Sequence, residues 1–113
     1  MAKPFSLLLF LLFVSCSAAY ADEKIHVINN MGKDICEFYI SAHNENDWGD
    51  DILEELDECL HHNKNVHVIW PETMDSSLNY DLRIVFRDGS DWVIENQRVK
   101  RKDNGEIGFT FNN

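Results

Sequence analysis

The sequence predicts an antiparallel β-sandwich of six or seven short strands with one short helix, and three observations carry that prediction. Apolar and polar residues alternate with period two in several short runs, most clearly in Asn79 to Arg87, where Tyr80, Leu82, Ile84 and Phe86 alternate with Asp81, Arg83, Val85 and Arg87. Turn-forming clusters, Asn29-Asn30-Met31-Gly32 and Asp88-Gly89, separate such runs at short intervals. Only Asp51 to Leu56 has apolar spacing that fits a helix, and it is long enough for one or two turns.

Taken in order, Lys24 to Ile28 alternates weakly and leads through the Asn29 to Gly32 turn into Asp34 to Ser41, which predicts a half-buried β-hairpin. In the second of these strands Cys36, Phe38 and Ile40 share one face and Glu37 points to the other. Ala42 to Asp50 is a polar loop containing Trp48-Gly49, and Asp50 is the expected N-cap of the short helix. Its carboxylate and that of Asp51 would then satisfy unpaired N–H groups at the positive end of that helix. His61-His62-Asn63 closes the segment, and Asn65 to Trp70 resumes strand character with Val66, Val68 and Trp70 on one face. Pro71 ends that strand. After the loop Glu72 to Ser77, Asn79 to Arg87 and Asp91 to Glu95 flank Asp88-Gly89, whose tolerance of positive φ indicates a second hairpin. Glu106 to Phe111, with Ile107, Phe109 and Phe111 on one side, is the last strand.

Residues 1–21 read as an export signal. Lys3 supplies the positive start, Phe5 to Val14 is apolar but for Ser6, and Ala19-Tyr20-Ala21 offers small residues at a cleavage site, so that the mature domain is expected to be 22–113. The apolar run is short for a membrane span. Phe13-Val14-Ser15-Cys16 partly resembles a lipoprotein box, and a lipid anchor on Cys16 is the competing reading, although such boxes prefer Leu where Phe13 stands. A secreted or periplasmic location follows from the first reading.

Charge narrows the function classes. The chain carries 10 Lys and Arg against 20 Asp and Glu, a formal charge of −10 that becomes −11 once Lys3 is removed with the leader. Such a surface repels phosphate backbones and anionic headgroups, which argues against nucleic acid and electrostatic membrane binding and favours a basic protein or cations, while no stretch after the leader approaches the length that membrane insertion of a helix needs. Glu45 to Glu58 holds eight carboxylates and no Lys or Arg, whereas Arg98, Lys100, Arg101 and Lys102 form a short basic run. Two cysteines survive signal removal. In an oxidising compartment Cys36 and Cys59 are expected to form a disulfide worth roughly 3 kcal/mol, the alternative being two separate thiols with Cys36 packed as a small hydrophobe.

The order Val27-Ile28-Asn29-Asn30-x-Gly32-x-x-Ile35, Glu37-Phe38-Tyr39-Ile40-Ser41, Trp48-Gly49-x-Asp51-Ile52-Leu53, Tyr80-Asp81-Leu82-Arg83-x-Val85-Phe86-x-Asp88-Gly89 and Gly108-Phe109-Thr110-Phe111 resembles a family of small exported bacterial proteins without an established function. The resemblance covers nearly the whole mature chain. Some members have carried the label argininosuccinate lyase, which an acidic exported domain of this size lacks the length and helical core to fulfil. This chain departs from that pattern where relatives place cysteines: Leu78 and the Arg101 to Asp103 region stand there instead, and the Cys36 and Cys59 pair, if bonded, would supply a substitute staple elsewhere.

Catalytic motifs are missing. The sequence has no Gly-x-Ser-x-Gly elbow, no His-Glu-x-x-His pair and no phosphate-cradling glycine loop. Cys59 beside His61 and His62 could mimic a thiol–imidazole pair, but sequence neighbours rarely adopt that geometry. The weak metal candidate is calcium at Glu45, Asp47, Asp50 and Asp51, with Asn44 and Asn46 nearby, although no glycine and glutamate stand where a helix-loop-helix calcium site needs them. His61, His62 and His67, with His26 and His43, could serve Zn²⁺ or Cu²⁺ but read better as surface residues. Trp48-Gly49 is either a cap on the open end of the sandwich or an aromatic contact within an acidic rim, and Asp81 with Arg83 either pair on one strand face or present charge to a ligand.

The expected function is therefore a non-enzymatic exported binding module with no cofactor, whose interaction residues are Trp48, Asp47, Asp50, Asp51 and Glu54. An inhibitor or immunity protein against a basic envelope-acting enzyme and a small metal-dependent hydrolase are the alternatives.

Overall fold

The computed structural model describes residues 22–113, so the leader and the alternative lipid site at Cys16 lie outside the described residues. The architecture is all-β, six strands in two three-stranded sheets: β1 (Glu23–Asn30), β2 (Ile35–Ala42), β3 (Asn65–Trp70), β4 (Asn79–Phe86), β5 (Asp91–Arg98) and β6 (Ile107–Asn112). One sheet has the order β3-β1-β6 and the other β2-β4-β5.

The apolar alternation builds the core between them. Ile25 and Val27 of β1 and Ile107, Phe109 and Phe111 of β6 face Phe38 and Ile40 of β2 and Leu82, Ile84 and Phe86 of β4. Phe38 locks the layers together, its ring meeting Phe109 edge-on at 5.4 Å and Phe111 at 5.2 Å. The second hairpin forms as expected, β4 pairing antiparallel with β5 across a turn with Gly89 at φ +86°.

Four expectations need correction. First, β1 and β2 do not form a hairpin: they lie in different sheets, and the turn after Asn29 arches the chain from one layer to the other. Asn29 is fully buried and organises that arch, its Nδ2 donating to the carbonyls of Lys33 and Leu60 at 2.9 and 2.8 Å while its Oδ1 accepts the Met31 N–H at 2.9 Å. An arch buries the apolar faces of both strands against each other, which a hairpin would leave side by side. Second, the sandwich is not wholly antiparallel, because β1 and β6 run parallel, Ile25 beside Ile107 through Asn30 beside Asn112.

Third, Asp51 to Leu56 forms turns rather than a helix, and Asp51, not Asp50, is the capping carboxylate. Asp51 Oδ1 accepts N–H groups from Leu53 and from Phe38 of β2, both at 2.9 Å, and the Ile52 N–H reaches the Phe38 carbonyl at 2.8 Å. Two turn bonds form within the segment, from the Glu54 N–H to the Asp51 carbonyl at 3.2 Å and from the Leu56 N–H to the Leu53 carbonyl at 3.0 Å, and bonding to a neighbouring strand edge adds to them where so short a helix would be marginal. Fourth, a bulge between Ile35 and Glu37 shifts the alternation of β2, so Ile35 rather than Cys36 joins Phe38 and Ile40 in the core. Cys36 is thereby turned to meet Cys59, with a Cα–Cα distance of 4.3 Å, and the expected disulfide closes.

An ion pair between a buried carboxylate and an exposed guanidinium ties β1 to the segment before β6. Glu23 accepts both Arg101 guanidinium nitrogens at 3.0 and 2.9 Å and the Met74 N–H at 2.9 Å. The Arg101 hydrogen bonds hold its carboxyl below the usual range, against burial and with help from Met74.

Candidate functional site

The loop between β2 and β3 carries the acidic segment, and it folds over one open side of the sandwich. Its strand-proximal part is fixed by the Asp51 and Ile52 bonds to β2, by the Cys36–Cys59 disulfide and by reciprocal backbone bonds between Ile35 and Leu60 at 2.9 and 2.8 Å. At its start the Asp47 N–H donates to Ser41 Oγ at 3.1 Å. Gly49 adopts φ +63°, a left-handed conformation that a side chain would strain, and this reverses the chain beside Trp48.

A cleft of about 520 Å³ lies between this loop and β3. Asp47, Trp48, Gly49, Asp50, Glu54 and Glu55 line the loop side, and His67 through Glu72 line the other. Ile40, Ile52 and Leu56 contribute apolar surface. Five carboxylates, those of Asp47, Asp50, Glu54, Glu55 and Glu72, surround it without a Lys or Arg among the lining residues. The half-buried Trp48 and Trp70 both line this space, which places Trp48 among the carboxylates of the rim.

Of the expected interaction residues, Trp48, Asp47, Asp50 and Glu54 are thus brought together. Asp51 is not among them, because its carboxylate is engaged by backbone N–H groups. Glu45 lines a separate hollow with His43, Ser77, Leu78 and Arg98, so the four-carboxylate calcium candidate is dispersed. Among the described residues no three His, Cys, Asp or Glu side chains are grouped to hold a metal ion.

The histidines have identifiable partners. His26 and His67, directly opposite across β1 and β3, stack with ring centroids 4.1 Å apart. His67 Nδ1 donates to Glu106 at 2.6 Å, while His26 Nε2 donates to Asn65 Oδ1 at 2.9 Å and its Nδ1 accepts from Lys102. The His67 bond chiefly lowers the Glu106 pKa, with Asn104 adding to it against burial. His61 bonds Asp34 at 3.1 Å, which raises its pKa, and lies 3.4 Å from Glu58. His62 Nδ1 accepts the Gly32 N–H at 2.8 Å. Cys59 is consumed in the disulfide, so the thiol–imidazole pairing with His61 and His62 does not arise.

Asp81 and Arg83 do not pair with each other. Arg83 bonds Asp91 at 2.9 Å, and Asp81 receives His43 Nδ1 and the Asn96 N–H, both at 2.8 Å. Burial would raise the Asp81 pKa, but those donors more than offset it and leave it lowered.

Sequence reasoning missed the β3 wall, above all Trp70 and Glu72. The available signal was the Trp70-Pro71 boundary, which places a large aromatic at the end of a strand whose successor cannot donate an N–H.

No family model matches the chain, and no curated protein is similar to it. Among solved structures it is similar to the NMR structure of a protein from Eubacterium rectale, at 8% identity and a TM-score of 0.45, covering 77% of this chain and 84% of that one.

Proposed function

We propose that this chain is an exported, non-enzymatic binding module whose partner surface is the acidic cleft between Trp48 and Trp70. One observation carries the reading: two indoles and apolar side chains share a cleft with five carboxylates and no Lys or Arg. Such a surface suits a cationic protein, since desolvated aromatics supply contact energy while charge speeds encounter and sets specificity. The Cys36–Cys59 disulfide supports an oxidising compartment, which agrees with residues 1–21 acting as an export signal and with a secreted or periplasmic location. A basic envelope-acting enzyme is one partner of the required charge.

Binding to a basic probe protein, hen lysozyme, tests this. Isothermal titration should give an affinity that falls roughly tenfold or more when Asp47→Asn, Asp50→Asn and Glu54→Gln are combined, and that falls also between about 20 and about 200 mM salt. Equal affinity of the parent and the triple variant would overturn the reading.

A further inference from the structure

We propose that the cleft receives an extended cationic segment of another protein, which adds to the free edge of β3 as a further strand. The inference rests on the acidic cleft being a partner surface and goes beyond it by stating how the partner is held. Side chains alternate between the faces of a strand, and the cleft is lined by every residue from His67 to Glu72, so its wall includes the end of β3 and is not confined to one face of the sheet. That strand is the outer one of its sheet, and it pairs with β1 in unbroken register from Glu23 beside Trp70 to Ile28 beside Asn65. In such a ladder alternate N–H and C=O groups of the outer strand point away from its partner.

The other sheet edges are covered or interrupted over part of their length. Along β2, Ile52 and Leu60 bond back to Phe38 and Ile35. Beside β6, the segment 100–106 folds back, with an Arg101–Ile107 bridge and the Gly108 N–H reaching the Lys100 carbonyl at 3.3 Å. The β5 edge is irregular, its pairing broken by a register shift between Tyr80 and Leu82 and Asn96 held at φ +60°. From Gly108 to Phe111 β6 also borders a hollow, but Arg98 and Lys100 line it and no carboxylate does, so among the described residues β3 is the outer strand that opens into an acidic cleft.

Charge selects the occupant. Strand addition supplies main-chain affinity, and alternate side chains supply specificity. A segment laid along β3 would place its side chains among Trp48, Trp70 and the surrounding carboxylates, favouring alternation of Lys or Arg with apolar residues. A second copy fits poorly, because two chains of formal charge −10 repel each other and Arg101 and Lys102 of the basic run are already engaged by Glu23 and His26.

The test uses a short synthetic peptide alternating Lys and Val, with two further versions N-methylated at one or the other set of alternate residues. Titrations are followed by tryptophan fluorescence and by amide shifts of the ¹⁵N-labelled protein. Shifts should concentrate at His67 to Glu72, and one methylated version should bind roughly tenfold or more weakly than the parent while the other stays close to it, since only one edge of the peptide pairs. Both methylated versions binding like the parent, or shifts falling on Asp91 to Arg98, would overturn strand addition. If the Asp47→Asn, Asp50→Asn, Glu54→Gln variant still weakened the parent peptide in that case, the acidic cleft would stand without strand pairing. Absence of any binding by the peptide overturns this inference, and the lysozyme titration then decides the broader reading by itself.

Discussion

Truncation of Asn29 probes the arch that joins the two sheets. Asn29→Ala removes three side-chain hydrogen bonds, to Lys33 O, Leu60 O and Met31 N, from a residue with no exposed surface. At about 1 kcal/mol net for each bond the loss approaches 3 kcal/mol. Two details reduce it: Leu60 O keeps the Ile35 N–H at 2.9 Å, and the Lys33 carbonyl lies in an exposed turn where water can replace the amide. The expected cost is about 2 to 3 kcal/mol, a fall of about 10 to 20 °C in Tm for a domain of this size, read by circular dichroism and by urea titration. Asn29→Asp separates hydrogen bonding from volume. Its carboxylate would face two carbonyl oxygens and could donate to neither, so burial and these acceptors raise the pKa of the introduced group above the ordinary value of about 3.9. A raised folded-state pKa makes the penalty full at neutral pH and relieves it as pH falls, so the gap to the parent protein should narrow on acidification. A loss below about 0.5 kcal/mol for Asn29→Ala, or an Asn29→Asp protein as stable as the parent at neutral pH, would refute this account of the arch.

Other consequences can be measured on the same protein. Reduction of the Cys36–Cys59 disulfide, which spans 23 residues, should lower stability by about 3 kcal/mol in urea titrations with and without reductant. Glu23→Gln should cost about 1 to 2 kcal/mol at neutral pH, a figure discounted because the Arg101 partner is 41% exposed. The Glu23 carboxyl is lowered chiefly by Arg101, so its contribution is full above its ordinary value and is lost as pH falls through the lower folded one; melts across acid pH should show parent and variant converging. His61 carries the opposite sign. Its pKa is raised chiefly by the Asp34 hydrogen bond, so its stabilisation is complete below its ordinary value and fades as pH rises through the raised one, a slope that His61→Gln should abolish.

Strand placement was largely legible in the sequence because each strand buries one face and so leaves a period of two in its residues. Partner choice was less so. The Asn29 to Gly32 cluster specifies a reversal, but whether the flanking strands pair or arch apart depends on where Leu60 and Lys64 arrive from more than thirty positions along the chain, and no local pattern encodes that. The parallel β1–β6 pairing has the same origin, since it joins the first strand to the last. The bulge at Ile35 escaped notice because Cys36, Phe38 and Ile40 alternate plausibly, and only the true register shows Ile35 in the core. On the cleft, the loop wall was readable from Trp48 and its acidic neighbours, whereas the β3 wall was not: the pattern places Trp70 on one strand face with Val66 and Val68, and its position at an open edge is a property of sheet order.

The loop wall lacks regular secondary structure, yet it is held at several points. Asp51 and Ile52 attach it to Phe38, Leu60 to Ile35, Cys59 to Cys36 and Asp47 to Ser41. A wall fixed in this way loses little conformational freedom when a partner binds, so less of the contact energy is spent on ordering it. The disulfide is therefore expected to act on affinity for the proposed partner as well as on stability. Cleaving it releases one of these attachments while the bonds at Asp51 and Leu60 remain, so the reduced protein at a temperature well below its melting point should stay folded with a more mobile segment 53–59. Affinity for the Lys and Val peptide should then fall severalfold, and the amide shifts along His67 to Glu72 should stay in place, because β3 itself is untouched. Equal affinity in both redox states would mean that the wall is held by its hydrogen bonds alone and that the covalent link serves only the unfolded-state entropy.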